Sequence, residues 1–239
     1  MLSLASRERS AARESVPYGE HLHQYGWARI DPNLDPTLLD DLTNSLQVEA
    51  GRGGRRDLLD HPVVLDLIRR PELSRLVDTL LGTSWRCVRG LFFDKNMQAN
   101  WFVPWHRDLV IAVQARNDVD GYGPWSVKDD VIHVQPPREV LENMLAIRLH
   151  LDDCGPDNGP LRVIPRSHLS MEEVTEPVVE LTAKRGEVIA MRPLLLHSSG
   201  RATSPTNRRV IHLEYAAVDL PSPIQFRWSI SCRLSSSSA

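Results

Sequence analysis

Two histidines and an aspartate are spaced in this sequence as the ligands of one metal ion would be. His106 and Asp108 stand two residues apart in the segment PWHRDLVIAV. Alternation along a strand predicts that both side chains point to one face, with Trp105 and Arg107 on the other. His197 ends the apolar run PLLLH and supplies a third ligand. Two histidines and one carboxylate are the facial triad of non-haem Fe(II) oxygenases, which leaves three metal positions open.

A cationic anchor follows the second histidine. The chain turns through GRATSPTN after Ser199 and returns as RRVIHLEYA, which predicts a β-hairpin with a long loop. In such a hairpin Arg208 lies near the level of His197, and its guanidinium fork suits the distal carboxylate of a 2-oxo diacid. Ser199 shares the face of His197 and can add a hydroxyl donor. Alternation predicts that Arg208, not Arg209, faces the interior.

Four further residues are candidates for the same pocket. Lys95 and Asn100 precede the strand of His106 and are expected to reach the co-substrate. His212 and Arg148 are expected to contact the substrate, because each is on an apolar strand at a position that can face the interior. For Arg148 the alternative is a structural ion pair with a carboxylate such as Asp152, because a lone charge on an apolar strand needs a partner.

The elements that must position these residues change character at Gly82. Before it, helical apolar periodicity and Pro at helix starts predict helices at 18–25, from 35–36 onward, at 61–69 and at 71–81, with a short strand at 27–30. After it, short segments rich in Val, Ile, Leu and aromatics predict strands. The predicted strands are 85–93, 101–105, 108–114, 144–151, 161–164, 187–191, 194–198 and 209–217. Helices first and strands later favour a mainly β fold with flanking helices, and about eight strands suit a double-sheet jelly roll.

One long segment, residues 115–143, is predicted to contain no strand. It combines glycines and prolines with charges and two aromatic residues, Tyr122 and Trp125. Loops of this length in compact domains are usually functional covers or disordered. We expect a lid over the metal pocket, with Tyr122 and Trp125 facing the substrate.

Length and composition bound the remaining interpretation. We expect residues 1–15 to be disordered, 16–228 to form a single oxygenase domain, helical to about residue 82, and 229–239 to be a tail. The formal net charge is −3, which gives no basic field for nucleic acid or an anionic membrane. The sequence starts without an apolar signal core and has no run near ~18 apolar residues, so a cytoplasmic location is expected. The three cysteines have no CxxC spacing and are expected to be free thiols.

Several segments together resemble the phytanoyl-CoA dioxygenase family of 2-oxoglutarate oxygenases. They are WHRD, LHLDDCGPDNGPLRVIPRSHL, KRGEVIAMRPLLLHSSG and NRRVIHLEYA, so the resemblance spans roughly residues 18–220. It implies a double-stranded β-helix, the cupin-like jelly roll, with Fe(II) and 2-oxoglutarate as cofactors and succinate and CO2 as products. It also implies iron ligands at His106, Asp108 and His197, and 2-oxoglutarate contacts at Arg208 and Ser199. The chain departs from the family where Arg166 replaces a common glycine.

These observations favour a hydroxylase that acts on a small molecule with O2. Desaturation, epimerisation or ring closure by the same oxidising chemistry are alternatives, whereas halogenation is disfavoured because Asp108 occupies the position that a halide would need. A non-catalytic jelly-roll binding module is the alternative from another class, and a zinc hydrolase shares the ligand set. Neither gives a reason for an arginine eleven residues after His197.

Overall fold

The structure, a computed structural model, describes residues 17–49, 51–172, 174–203 and 206–231. The segment expected to be disordered, 1–15, and most of the expected tail therefore lie outside the described residues, as does Cys232. Cys87 and Cys154 are buried free thiols, as expected. None of the helices in the described ranges has the length and apolar character that crossing a bilayer requires.

The described residues form five α-helices, and proline sets the start of three of them. The helices are α1 (Tyr18–Tyr25), α2 (Pro36–Ser45), α3 (Pro62–Arg69), α4 (Pro71–Leu81) and α5 (Arg138–Glu142). Pro36, Pro62 and Pro71 occupy the first helical position, where a missing N–H leaves no bond unmade. The carboxylate of Asp35 accepts a hydrogen bond from the backbone N–H of Thr37 at 2.8 Å and caps α2. The helices predicted before Gly82 are confirmed.

Thirteen strands are described, all paired in antiparallel fashion. They are β1 (Trp27–Ile30), β2 (Gly54–Arg55), β3 (Arg86–Lys95), β4 (Val103–His106), β5 (Ile111–Val113), β6 (Trp125–Lys128), β7 (Val131–Val134), β8 (Met144–His150), β9 (Leu161–Val163), β10 (Val179–Leu181), β11 (Val188–Met191), β12 (His197–Ser199) and β13 (Arg208–Ala216). A six-stranded sheet has the order β1-β11-β8-β13-β3-β2, and a four-stranded sheet has the order β10-β9-β12-β4. Strands β5, β7 and β6 form a third, smaller sheet. The predicted mainly β, double-sheet fold is confirmed.

The helices cover the outer face of the six-stranded sheet. Ile211, Leu213 and Tyr215 of β13 belong to the same buried cluster as the apolar faces of α2, α3 and α4. A second cluster, which includes Val163 and Met191, fills the space between the six- and four-stranded sheets. One face of the large sheet is therefore sealed by helices, and the other faces the interior where the candidate site lies.

The segment 115–143 corrects one prediction. It contains the hairpin β6–β7 and helix α5, so the expectation that no strand forms there is wrong. Asp129 and Asp130 both have positive φ, 47° and 61°, between Lys128 and Val131, which pair across the turn. Two successive residues with positive φ make the tight turn that matches the twist of a hairpin. An Asp-Asp pair between alternating residues was the local signal for it.

The hairpin predicted between His197 and Arg208 is also wrong. Strand β12 pairs with β4 and β9, whereas β13 lies in the other sheet between β3 and β8. The residues between them cross from one sheet to the other. Of the strand expected at 194–198, only His197 and Ser198 are strand, as part of β12, and residues 194–196 belong to the turn that leads into it. Strand alternation assigns faces to residues, but it does not select the partner strand.

Gly26 joins the helical layer to the turn before His197, and we predict that it tolerates no side chain. Its φ is 85°, and a Cβ there would lie 2.5 Å from His168 Nδ1 and 2.7 Å from Leu195 Cδ1. Gly26→Ala should lower the free energy of unfolding by roughly 2–4 kcal/mol, since backbone strain and overpacking add. Urea denaturation measures this change.

Gly51 provides the control, because its φ is 83° and a Cβ there would meet nothing within 4 Å. Gly51→Ala should lower the free energy of unfolding only by the cost of backbone strain at positive φ, about 1–2 kcal/mol. Equal losses in the two variants would contradict the steric explanation.

Candidate functional site

The two histidines of the predicted triad are cross-strand neighbours in the four-stranded sheet. His106 is the last residue of β4 and His197 the first of β12, and their Cα atoms are paired in the register of the two strands. Their ring centroids are 4.2 Å apart. The side chain of His197 is 5% exposed and that of His106 37% exposed. His197 therefore lies deep in the site, and His106 faces its opening.

Asp108 reaches the same point by a different route from the one predicted. Strand β4 ends at His106, so strand alternation does not place Asp108. Its backbone N–H instead donates to the carbonyl of Pro193 at 2.9 Å, which ties it to the turn before His197. Its Oδ1 lies 3.7 Å from His106 Nε2, and its Oδ2 lies 3.7 Å from His197 Nε2. The three predicted ligands converge.

Backbone carbonyls set the orientation of both imidazoles. Nδ1 of His106 donates to the carbonyl of Pro104, and Nδ1 of His197 to that of Leu195, each at 2.8 Å. Both Nε2 atoms are left as acceptors, which is the state a metal ligand needs. One ligand atom from each of the three residues lies within 4.8 Å of the others. Adjacent ligands of a six-coordinate ion with bonds of ~2.1 Å are about 3 Å apart, so small side-chain movements complete the site.

The electrostatics of the triad suit a metal. Burial raises the pKa of Asp108, but the nearby His197, His212, His106 and Arg89 outweigh it and hold this pKa below its ordinary value. Burial lowers the pKa of His197 to about 4. At neutral pH the set is therefore an ionised carboxylate with an unprotonated deep imidazole, which is the protonation state that metal binding requires.

Among the described residues, three buried cations without an ion pair lie in the interior on the six-stranded sheet. They are Lys95 of β3, Arg148 of β8 and Arg208 of β13, at 0%, 7% and 3% exposure. Lys95 and Arg208 are Cα partners in the β3–β13 register. No ion pair joins any of the three to a carboxylate within the described ranges. Lys95 donates to the carbonyl of Gly200 and Arg208 to that of Gly159, while Nε of Arg148 and of Arg208 has no partner.

Burial and mutual repulsion act together on these cations. Burial, with Arg208 and Arg148 nearby, lowers the pKa of Lys95 to about 7. Burial and Arg208 lower the pKa of Arg148 to about 10. Burial also lowers the pKa of Arg208. A cluster of buried positive charge with unused donors is a site for an anion.

The other predicted co-substrate residues divide into two groups. Ser199 is buried and is paired with Leu161 on β9 as His197 is with Val163, so it shares the interior face of His197. Asn100 is exposed, and its amide is used by Ala202: Nδ2 donates to the carbonyl at 2.8 Å and Oδ1 accepts from the N–H at 2.9 Å. That amide holds the loop after β12, so the two groups that bond Ala202 are not available to a co-substrate.

The predicted substrate residues are also separated. Tyr122 and Trp125 are half-buried and pack on the apolar cluster beneath the small sheet, with the Arg116 guanidinium 5.7 Å from the Trp125 ring. His212 is inside the barrel, where Nη1 of Arg148 lies 3.1 Å from its Nδ1. The structural alternative for Arg148, a pair with Asp152, is wrong because Asp152 binds Arg209.

Arg209 lies on the outer side of β13. Its guanidinium donates to both carboxylate oxygens of Asp152, at 2.9 and 2.6 Å. The predicted choice between the two arginines therefore agrees with the register, since Arg208 alone has its guanidinium in the interior.

One interior residue, Arg89, escaped the sequence reasoning. Arg89 of β3 is buried, and its Nη1 lies 3.0 Å from Oε1 of Glu214 on β13. Its local signal was a charged residue on an apolar strand, at even spacing from Lys95 and therefore on the same face. Trp105 and Phe102 are 37% and 50% exposed.

Comparison with known proteins identifies the family. The model of the family described as phytanoyl-CoA dioxygenase (PhyH) matches residues 28–210. The chain belongs to the phytanoyl-CoA dioxygenase family. This family consists of 2-oxoglutarate-dependent non-haem iron oxygenases, so iron and 2-oxoglutarate are the cofactors of this enzyme. A search of curated protein sequences gives no match.

Solved structures share the fold of this phytanoyl-CoA dioxygenase family member. AviO1 from Streptomyces viridochromogenes Tue57 has 24% identity and a TM-score of 0.63, over 86% of this chain and 96% of that one. The 2-oxoglutarate-dependent epimerase SnoN from nogalamycin biosynthesis has 16% identity and a TM-score of 0.63, over 90% and 82%. HygX from Streptomyces hygroscopicus, with nickel and 2-oxoglutarate bound, has 13% identity and a TM-score of 0.61, over 84% and 87%. At these identities the likeness concerns the fold.

Lys95 generates a prediction about pH and stability. Burial lowers its pKa from the ordinary 10.5 to about 7, so the folded protein bears the cost of a buried charge below pH 7. At pH 7 and without co-substrate, the free energy of unfolding of Lys95→Met should therefore exceed that of the wild type by roughly 2–4 kcal/mol. The gain should shrink as the pH rises towards 10.5, because the lysine is then neutral in both states.

Urea denaturation between pH 7 and 10 measures this difference. The exposed Lys184→Met is the control, and it should show no comparable gain. A destabilised Lys95→Met protein at pH 7 would show that Lys95 stabilises the fold instead.

Proposed function

We propose that the enzyme hydroxylates an unactivated C–H bond of a small-molecule substrate, using O2 and 2-oxoglutarate and releasing succinate and CO2. The observation that carries this proposal is the combination of two features in one interior. His106, Asp108 and His197 offer three metal ligands, and three unpaired cations lie on the facing sheet. A metal site alone fits several functions, but a metal site beside a pocket for an anionic co-substrate fits this one.

The residues have separate tasks in the proposed reaction. Iron with 2-oxoglutarate and O2 supplies, when bound, an oxidant able to take a hydrogen atom from a C–H bond. His106, Asp108 and His197 would hold the iron. Arg208 would bind the distal carboxylate of 2-oxoglutarate, and Lys95 and Ser199 would add a charge and a hydroxyl.

The hairpin β6–β7 and the segment before it are proposed to cover the substrate. Tyr122 and Trp125 would present aromatic faces toward the opening, while His212 and Arg148 contact the substrate from inside. Exclusion of water by such a cover protects a reactive oxidant from side reactions. Residues 16–228 are proposed to act as one oxygenase domain.

Other outcomes of the same chemistry are the main alternatives. SnoN, which shares the fold, is described as an epimerase, and desaturation or ring closure also begins with removal of a hydrogen atom. Asp108 occupies the third ligand position, which argues against halogenation. A zinc hydrolase or a binding module would need no buried cluster of Lys95, Arg148 and Arg208.

The first test concerns the metal ligands. His197→Ala and Asp108→Ala should each lose Fe(II) binding, because the two ligands that remain are too few to hold the ion. Each should also lose at least 100-fold in succinate formation from 2-oxoglutarate. Metal content and succinate release are the measurements, with circular dichroism to confirm folding. The exposed His23→Ala serves as the matched control and should keep both. A folded His197→Ala protein with undiminished iron-dependent turnover would exclude the proposed centre.

The second test separates Arg208 from Arg209. Arg208→Met should raise the Michaelis constant for 2-oxoglutarate by about 10- to 150-fold, since a charge-assisted bidentate contact is worth ~1.5–3 kcal/mol. Arg209→Met should change it by no more than a few-fold and lower stability instead, because it loses Asp152. Steady-state kinetics and urea denaturation report the two effects. The reverse pattern would show that Arg209, not Arg208, binds 2-oxoglutarate.

A further inference from the structure

A row of four polar side chains forms the interior wall on the six-stranded sheet. Strand alternation points Arg89, Arg148, His212 and Glu214 to the interior, while their neighbours on the strands pack against the helices. Glu214 is the Cα partner of Arg89, and His212 that of Arg148. All four are buried. We call this set the polar wall.

The hydrogen bonds within the polar wall follow from the chemistry of its members. Arginine can only donate, so Nδ1 of His212 accepts from Arg148 at 3.1 Å. The imidazole proton is therefore on Nε2, which faces Oε1 of Glu214 at 3.4 Å. Arg89 donates to the same oxygen at 3.0 Å. The wall presents donors and an acceptor side by side, and the charges of Arg89 and Glu214 offset each other.

The polar wall lies close to the metal ligands. His212 and Arg89 both contribute to the lowered pKa of Asp108, and Asp108 in turn acts on Glu214. These mutual effects agree with the topology, because β12 and β4 carry the histidines on the sheet that faces the wall. The wall therefore faces the histidine ligands across the interior.

Unused hydrogen-bonding groups point to a polar occupant. Nε of Arg148 has no partner, and neither has Nε2 of His133. His133 belongs to β7 in the cover and is 2% exposed. Its Nδ1 donates to the carbonyl of Val131 at 2.9 Å, so its free Nε2 is an acceptor. Burial lowers the pKa of His133 first of all, and the nearby charge of Arg89 lowers it further.

Phe93 connects the wall to a surface cleft of about 800 Å³. Its ring lies 6.1 Å from that of His212 and 5.5 Å from the Arg148 guanidinium. The cleft includes none of the metal ligands, and charged and aromatic residues make up most of its lining. Its other members include Trp101, Arg52, Arg55, Arg56 and Asp129.

We propose that the substrate is a polyhydroxylated ring compound of the sugar or cyclitol class, bound through its hydroxyls by Glu214, Arg148 and His133, and that aliphatic acyl chains are excluded. This proposal rests on the proposed function. A hydroxyl both donates and accepts, which matches a wall of adjacent donors and acceptors. An alkyl chain in the same place leaves buried polar groups without partners, and such sites reject analogues that lack the hydroxyls. Aromatic faces at Phe93 and Trp101 suit the apolar faces of a ring.

The experiment first establishes that the enzyme is loaded. Anaerobic addition of Fe(II) and 2-oxoglutarate should produce the visible charge-transfer band of the complex in the wild-type enzyme but not in His197→Ala. Absence of this band in the wild type would overturn the proposed function itself. Its presence leaves that function standing and makes the next step a test of substrate class alone.

Succinate release is then measured with three panels of compounds: mono- and disaccharides with inositols, free fatty acids with acyl-CoA thioesters, and free amino acids. At least one compound of the first panel should stimulate release 10-fold or more, and none of the second should. Stimulation by an acyl compound overturns the proposal, as does stimulation by amino acids alone or failure of the whole first panel.

Variants then locate the contact. Glu214→Gln should raise the Michaelis constant of the stimulating compound at least 10-fold, and by more than it raises that of 2-oxoglutarate. The exposed Glu180→Gln is the matched control and should change neither. Should Glu214→Gln bind 2-oxoglutarate too poorly to be assayed, His133→Phe provides the same comparison from the cover. An unchanged constant for the compound in both variants would overturn the assignment of the wall.

Discussion

The alternation of side chains along β13 is the constraint on which the rest of the site depends. This strand is paired on both edges, with β3 and β8, over most of its length. Its register cannot slip by one residue without turning Ile211, Leu213 and Tyr215 away from the helices. The apolar contacts of the outer face therefore fix which polar residues face inward. Arg208 and Glu214 reach the interior because the helical layer holds the other face.

Buried positive charge gives this interior its chemical character. Lys95, Arg148 and Arg208 have no carboxylate partner among the described residues, and their pKa values are all lowered. A fold that keeps such groups unpaired gives up stability that an anion bound among them would restore. Arg209, one residue from Arg208, shows the contrast: its pKa is raised, first by its hydrogen bonds to Asp152 on the outer side. Function and stability thus divide between adjacent residues of one strand.

The sequence was informative wherever the signal was local. Proline at helix starts, periodic leucines and the spacing of His106, Asp108, His197 and Arg208 led to the helices, the fold class and the converging ligands. It was uninformative where partners are distant in the chain. Nothing local shows that β12 and β13 belong to different sheets, or that the position of Asp108 depends on the carbonyl of Pro193. The Arg89–Glu214 pair joins residues 125 positions apart, which no pattern within one segment reveals.

The two sheets of the barrel divide the chemistry between them. The histidine ligands belong to the four-stranded sheet, while the cations and the polar wall belong to the six-stranded one. The metal geometry rests on two short strands and backbone carbonyls, so it places few demands on the facing sheet. On the proposed function, selectivity would be set across the gap between the sheets by residues such as Glu214 and Arg89, and reactivity on the side that carries the histidines.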